Sequence, residues 1–500
     1  MSNIDNQESV YSDENEIIRQ RVQKIEFWKE QNISPFGRRS KEILTAESVK
    51  DNFDEDAQIP AIVKVAGRIM AVRKMGKSIF ADLRDDSDKI QLYVGKKSAG
   101  EDLFSLFKKL DIGDIISVSG EVFKTRMGEI TIKLKEFELL SKSLRPLPEK
   151  FHGLTDVEQR YRQRYIDLIA NEEVKNTFRA RAAIISEIRR FMEDSGYMEV
   201  ETPMLQPIAG GAQARPFLTH YNALDSKMYM RIAPELYLKK LLVGGFPKVF
   251  ELNKNFRNEG LSRKHNPEFT VLEAYEAFGD CETMMDLITG IICTAAEKVT
   301  GSLQVKGEGG ETINLSAPWR RVAYHDLICE YMGNDWNELD KAQKLAKADE
   351  LGVHVSDVMT ETQITHEIYD KHIEGRLIQP TFVTRLPRYL VPLAKACDDD
   401  SSLVDVYELV INGQELAPGY SELNDPIEQR KRFEEQMNVS EGTETEESGK
   451  IDEDFLTALE YGMPPAGGMG IGIDRLVMLL TGSESIRDVI LFPQMRQINS

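Results

Sequence analysis

The stretch FRNEGLSRKHNPEF, residues 256–269, sets two arginines, a lysine, two glutamates and a histidine between two phenylalanines. Arg257 and Glu259 are two apart, a spacing that puts both side chains on one face of a strand. An exposed Arg–Glu pair alone is worth little. Here, however, Arg263, Lys264 and His265 follow as a cationic loop, and Phe269 adds an aromatic plane. Guanidinium groups grip phosphate oxygens in a fork. A carboxylate accepts from an exocyclic amine, and an aromatic ring stacks on a purine. Together these types fit a nucleoside triphosphate, held without the G-x-x-x-x-G-K-[ST] cradle, which is absent from the chain.

Two further constellations carry chemistry. In PPAGGMGIGIDRLVMLL (464–480), glycines 467, 468, 470 and 472 lead into Asp474-Arg475 and an apolar helix. Close strand–helix packing explains the glycines but not the charged pair; an arginine at that junction suits a phosphate. In VDVYELVINGQELAPGYSELND (404–425), Glu408 and Glu415 flank a hairpin turn at Asn412-Gly413. Carboxylates across two strands can hold Mg²⁺ beside phosphate oxygens; without a metal they are solvated strand residues.

The elements that must position these groups follow from pattern. Five hundred residues exceed one ordinary core and predict two or three domains. Residues 1–15 are polar and acidic and are expected to be a disordered tail. Ile17, Ile18, Val22, Ile25 and Trp28 fall at helical spacing. Then come about five short strands in a region, Ile62–Lys150, holding 18 Lys/Arg against 13 Asp/Glu, although the whole chain carries −20. Short strands with a basic surface suit a small β-barrel of the OB-fold type; a small sandwich is the alternative. Two prolines in SLRPLPEKFHGL (143–154) mark a linker. Residues 155–500 read as one mixed α/β domain with a helical insertion at about 330–378. The acidic stretch 437–455 reads as a flexible loop.

The polar start lacks the pattern of a signal peptide, and no run is apolar enough to span a bilayer. The four cysteines are scattered, which argues against a zinc site or disulfide framework and for a reducing cytoplasm.

The three constellations resemble the signature motifs of class II aminoacyl-tRNA synthetases. FMEDSGYMEVETPML resembles motif 1, FRNEGLSRKHNPEF motif 2 and GMGIGIDRL motif 3. GGAQARPF, RIAPELYLKKLLVGGFPKVFELNKNFRNEG, NPEFTVLEAYEAF, GYSELND and TALEYGMPP are together similar to the bacterial lysyl-tRNA synthetases. The likeness runs from about residue 16 to the C-terminus.

That resemblance implies an α+β chain: an N-terminal helix and OB-fold anticodon-binding barrel over 16–142, then a catalytic antiparallel sheet flanked by helices. It implies ATP-dependent joining of L-lysine to tRNA(Lys) by a cytoplasmic homodimer that needs Mg²⁺. Arg257 and Arg475 are then the catalytic cations. Glu259, His265, Asn266 and Phe269 join them around ATP. Gly211 and Glu235 hold the lysine α-amino group, and Glu273, Tyr275 and Glu422 its side chain. Glu408 and Glu415 carry the magnesium, while Arg68, Phe80 and Gln91 hold the anticodon. The chain departs from the pattern at Pro418, where bacterial relatives generally carry an asparagine. The loss of one hydrogen bond to a charged group predicts weaker lysine binding by roughly 1.5–3 kcal/mol.

Overall fold

A computed structural model of the chain describes residues 12–148, 154–212, 214–307, 309–440 and 451–496. Positions 1–11 of the expected tail, 149–153 of the linker and 441–450 of the acidic loop lie outside the described residues. The polypeptide divides into two compact units, Met1–Thr155 and Asp156–Ser500.

In the first unit a helix spans Ser12–Glu30, beginning within the expected tail. Its apolar stripe is only partly used. Trp28 is fully buried against the barrel core, whereas Ile17 and Val22 remain exposed. Midway along the helix, buried Arg21 donates to the carbonyl oxygens of Ser143 and Arg145. Polar capture of the chain leaving the barrel replaces the apolar contact that the spacing predicts.

Strands β1 (Ile62–Met75), β2 (Ser78–Arg84), β3 (Lys89–Gly95), β4 (Ile115–Lys124) and β5 (Ile130–Ser141) close into a barrel in the order β1-β2-β3-β5-β4. All ladders are antiparallel except β3–β5. Ile79, Ala81 and Leu83 on β2 alternate into the core with Ile90, Leu92 and Val94 on β3. Period-2 alternation therefore turns Phe80, Asp82, Gln91 and Tyr93 outward. At Gly120 a Cβ would stand 2.2 Å from the Lys133 carbonyl oxygen, so β4 and β5 cross where only glycine fits.

The second unit opens with helices, the longest Glu172–Asp194, before β6 (Met198–Glu199) and a small sheet of β7 (Leu205–Gln206), β8 (Leu218–Tyr221) and β9 (Ser226–Met230). A long hairpin follows, β10 (Lys248–Phe256) with β11 (Glu268–Ala277), then a ribbon of β12 (Gln304–Lys306) and β13 (Thr312–Asn314). The last strands are β14 (Arg320–Ala323), β15 (Thr381–Thr384), β16 (Val406–Ile411), β17 (Gln414–Ser421) and β18 (Ala466–Gly472). Eight of them form one sheet in the order β14-β15-β16-β17-β18-β11-β10-β6, antiparallel throughout its centre.

One face of that sheet is apolar. Phe250, Leu252, Leu272, Ala274, Met469 and Ile471 pack against helices Glu172–Asp194 and Cys281–Thr300. The opposite face carries Glu251, Glu273, Tyr275 and Glu408 beside the glycines of β18, with Gly470 opposite Glu273 and Gly468 opposite Tyr275. The helical insertion (Tyr324–Met332, Lys341–Glu350, Glu361–Ile368) gathers around Tyr324, Trp336 and Tyr369. Helices Pro426–Ser440 and Glu453–Glu460 reach into both ends of the stretch expected to be a loop.

Asp474, almost wholly buried, clamps three elements. Its Oδ1 lies 2.7 Å from Arg181 Nη1 on the Glu172–Asp194 helix, and its Oδ2 accepts the Thr270 N–H of β11 at 2.7 Å. Removing one partner of a buried pair strands the other. Asp474→Ala is therefore expected to destabilise the second unit by about 3–5 kcal/mol, seen as a lower urea midpoint for its transition while the barrel's transition stays in place.

Candidate functional site

β10 ends at Phe256, so Arg257 and Glu259 stand in the following loop and not, as their spacing predicts, on the strand. The ladder stops because Pro267, across the hairpin, has no N–H to return. Its carbonyl still accepts the Arg257 N–H at 2.9 Å, which pinches the loop shut, and Asn258 turns its N–H to the Arg215 carbonyl at 2.7 Å. The Arg257 guanidinium lies over the Phe269 ring, 5.1 Å from its centroid. Its Nε is buried with no hydrogen-bond partner among the described residues. Burial lowers the Arg257 pKa against the pull of Glu259, Glu273 and Glu415. A desolvated guanidinium with an unused N–H wants an anion.

Arg475 occupies the first turn of helix Ile473–Thr481, directly after Gly472. Its Nη1 donates to the Glu415 carbonyl oxygen at 2.6 Å, with the Glu415 carboxylate at 3.9 Å, and its Nη2 is 3.5 Å from His265 Nε2. Burial, with Arg475 beside it, lowers the His265 pKa, so the ring is neutral at pH 7. Its Nδ1 meets Ser262 Oγ at 2.9 Å. Asn266 is buried and occupied: it donates to the Glu268 carbonyl oxygen at 2.6 Å. Glu259 is exposed. A cleft of about 330 Å³ opens beside Arg475, lined among others by Arg263, Lys264 and Lys306. The chain thus presents one cationic basin next to an aromatic ring.

An acidic pocket adjoins it. Glu273 and Tyr275 lie on the same face of β11, and the Tyr275 hydroxyl donates to Glu273 at 2.9 Å. Burial, then the neighbouring charge of Glu235, pushes the Glu273 carboxyl up to about 8. Glu235 opens helix Glu235–Val243, and Gly211, at φ +86°, packs on that first turn, where a Cβ would press on Ala233 and Glu235 at 3.2 Å. Glu422 follows β17. Its Oε1 has no hydrogen-bond partner among the described residues and lies so close to Gly468 that a Cβ there would be 1.9 Å away. The same Cβ would be 2.6 Å from the Tyr275 ring. The glycine strand is what lets two acids and a phenol converge.

Glu408 and Glu415 stand on the adjacent strands β16 and β17. Across the hairpin Glu415 pairs with Val410, and a bulge between Leu409 and Val410 shifts the register by one so that Glu408 lies opposite Pro418. Burial, then the charges of Glu415, Asp370 and Glu374, raises the Glu408 pKa well above the carboxylate range. Such accumulated negative charge fits a divalent cation. Among the described residues no group of three or more His, Cys, Asp or Glu is arranged to hold a metal. A two-carboxylate site completed by phosphate oxygens and water is the Mg²⁺ pattern. Pro418 is exposed on this same face.

On the barrel, the structure brings Phe80 and Gln91 to adjacent outward positions of β2 and β3. It does not bring Arg68 to them: Arg68 donates to the Gly113 carbonyl oxygen at 2.8 Å, and its pKa is lowered by burial. The cation directly across from Phe80 is Arg73, held in a fork by Asp82. A β1 bulge between Ile69 and Ala71 shifts the alternation and turns Arg73 outward. Phe80, Tyr93 and Phe123 form a half-buried aromatic row, with centroids 5.2 and 6.1 Å apart, along a cleft of about 600 Å³ that also holds Arg126 and Lys133. Tyr93 and Phe123 were legible only as strand residues. A row of rings beside cations fits stacked bases.

Residues 156–496 match the family of class II tRNA synthetases (D, K and N), and residues 63–140 match the OB-fold nucleic acid binding domain. The lysine–tRNA ligase of Carboxydothermus hydrogenoformans is 53% identical over 483 residues, covering 96% of this chain and 98% of that protein. Those of Syntrophomonas wolfei and Halalkalibacterium halodurans are 51% and 48% identical, covering 97% of this chain and 98% of each relative. The chain therefore belongs to the class II tRNA synthetases, within the group of the lysine–tRNA ligases.

Proposed function

We propose that the chain joins L-lysine to tRNA(Lys) in two steps through a lysyl-adenylate. The observation that carries this reading is the adjacency of two oppositely charged compartments on one sheet face. Lysine needs both, having two ammonium groups and a carboxylate. In this reading Glu273, Tyr275 and Glu422 take the side-chain ammonium, Gly211 and Glu235 the α-ammonium, and Arg257 the carboxylate. An aspartate-specific site would need a cation where Glu273 and Glu422 lie.

The lysine carboxylate attacks the α-phosphorus of ATP in line, and pyrophosphate leaves. Phe269 stacks on the adenine while Glu259 reads its amine, and Asn266, bonded to the Glu268 carbonyl oxygen, holds the adenine-binding loop in shape. Arg257 faces the α-phosphate; Arg475 and neutral His265 face the outer phosphates. The terminal tRNA hydroxyl then attacks the adenylate carbonyl and AMP leaves. No side-chain nucleophile is required, because positioning and charge neutralisation supply the catalysis. Mg²⁺ held by Glu408 and Glu415 would neutralise phosphate charge. The aromatic row of the barrel receives anticodon bases, with Phe80 and Gln91 as before and Arg73 in the place expected for Arg68.

We also infer a homodimer through the Glu172–Asp194 helix and the segment after it, supported by the exposed apolar side chains Met198, Leu205 and Leu218. A cytoplasmic setting suits four cysteines that are all free. Among the described residues no helix is long and apolar enough to cross a membrane.

The deciding experiment is exchange of labelled pyrophosphate into ATP without tRNA, with lysine, aspartate and asparagine compared. Exchange is expected with lysine alone. Exchange with aspartate or asparagine would sink the pocket assignment, and none at all would sink the enzyme reading. Arg257→Gln should lower the exchange rate by about 10²–10³-fold, the usual loss for a donor aimed at developing charge.

Gly468→Ala supplies a second test. The added Cβ must push Glu422 and Tyr275 aside, an overpacking cost of about 1–3 kcal/mol. The KM for lysine is expected to rise roughly 5- to 150-fold with the KM for ATP unchanged. Equal effects on both would place Glu422 outside the lysine pocket.

The third test is pH. Below about 8 the Glu273 carboxyl keeps its proton in the free site, whereas an ammonium ligand favours the ionised form. Lysine binding at pH 7 should therefore release a proton and tighten as the pH rises from 6.5 toward 8. Calorimetry in buffers of different ionisation enthalpy reads the release directly; an enthalpy that does not change between buffers would contradict it.

A further inference from the structure

Lys239 has no role in the mechanism above, yet it is a wholly buried cation beside the acidic pocket. It sits one turn along from Glu235 on helix Glu235–Val243 and has no exposure to solvent. Its Nζ donates to Glu235 Oε1 at 2.6 Å and forms an ion pair with Glu422 Oε2. Its ammonium also lies 5.6 Å from the centroid of the Tyr420 ring, and the Tyr420 hydroxyl donates to the same Glu235 oxygen at 2.8 Å. Burial works against the ammonium, but Glu235 and Glu422 together hold its pKa above the ordinary lysine value, so it stays charged. The neighbouring Lys240 is unlike it: it faces outward to Asp454 at 2.7 Å.

The two carboxylates bridged by Lys239 come from different elements, the start of a helix and the end of β17. Under the reading proposed above, they belong to different subsites: Glu235 to the substrate α-ammonium and Glu422 to the side-chain ammonium. One ammonium bonded to both fixes the distance between them, since neither acid can shift without breaking a buried ion pair. Charge accounting agrees. Three buried carboxylates, Glu235, Glu273 and Glu422, would carry −3; Lys239 leaves −2, matching the two ammonium groups of a diamino acid.

We propose that Lys239 is a positioning residue that sets the span between the two ammonium subsites, and so selects lysine by chain length against diamino acids one methylene shorter or longer. The inference rests on the lysine-pocket reading above. A methylene more or less in a fitted pocket is worth roughly 10–200-fold in kcat/KM. That selectivity needs acceptors that do not drift toward a shorter or longer ligand.

The test is ATP–pyrophosphate exchange with lysine, ornithine and homolysine, in the full chain and in two variants. Lys239→Met keeps length but removes the bridge. It should lower kcat/KM for lysine while cutting the lysine-over-ornithine ratio by about tenfold. Lys239→Arg keeps the buried charge, and hence the fold if the Met variant does not accumulate, but bridges with a wider fork. Its preference should move toward homolysine. A purely structural role would lower all three substrates by one factor; unchanged ratios in whichever variants fold would overturn the proposal. If the unmodified protein shows no lysine-dependent exchange, the pocket reading itself fails, a result distinct from lysine-dependent exchange with ratios that do not move.

Discussion

Burying a carboxylate away from water costs several kcal/mol unless a counter-charge or hydrogen bonds replace the solvent, and the open face of this sheet with the segments beside it buries Glu235, Glu251, Glu273 and Glu422. Glu251 and Glu273 face each other directly across β10 and β11, a pairing of like charges that destabilises a ladder. Arg231, itself wholly buried, resolves one half: its Nη1 meets Glu251 at 2.6 Å and its Nε donates to the Lys254 carbonyl oxygen at 2.9 Å. Lys239 resolves Glu235 and Glu422 together. Glu273 is left with a tyrosine hydroxyl and no cation within ion-pair distance among the described residues. Its raised pKa is the physical record of that imbalance. The pocket is short of positive charge, a shortage that a cationic ligand would relieve.

The two faces of the central sheet divide the work. On the covered face, large apolar side chains interlock with two long helices and resist distortion. On the open face, glycines of β18 replace side chains where Glu422, Tyr275 and Glu273 converge. A strand without side chains is weak by itself. Here it is held by β11 on one side and β17 on the other, and by Asp474 at its end. That same Asp474 explains why Arg475 is available: its neighbour in sequence absorbs the structural duty to Arg181 and Thr270, leaving Arg475 turned toward Glu415 and His265.

Much of this was legible in the residues, and the failures have specific causes. The barrel follows from alternation and the motif residues from their types, because strand period and the chemistry of Arg, Glu and Phe are local properties. The position of Arg257 past its strand was not legible, because it depends on Pro267 lying across the hairpin. The outward turn of Arg73 beside Phe80 was not legible, because a single bulge, invisible in the pattern, shifts the face of every residue after it. Lys239 was missed because ELYLKK shows two lysines at the end of an amphipathic run, where the default is two solvated ends. The approach of Glu422 from a segment 183 positions later marks out the buried Lys239 from the partly exposed Lys240.

The same distinction bears on how a strongly acidic chain handles polyanions. A net charge of −20 repels phosphate at long range, but screening confines that repulsion to about 8 Å at physiological salt. Within that distance the local sign decides. In the second unit, Arg263, Lys264, Lys306 and Arg475 line one basin, with Glu484 the one acid among its lining residues. In the first, Arg126 and Lys133 flank a row of rings. Many of the acids elsewhere are spread over helices and loops facing solvent. Their repulsion disfavours nucleic acid on the surface around them, so the net negative charge leaves the cation-lined basin and the aromatic cleft of the barrel as ground that favours such a partner.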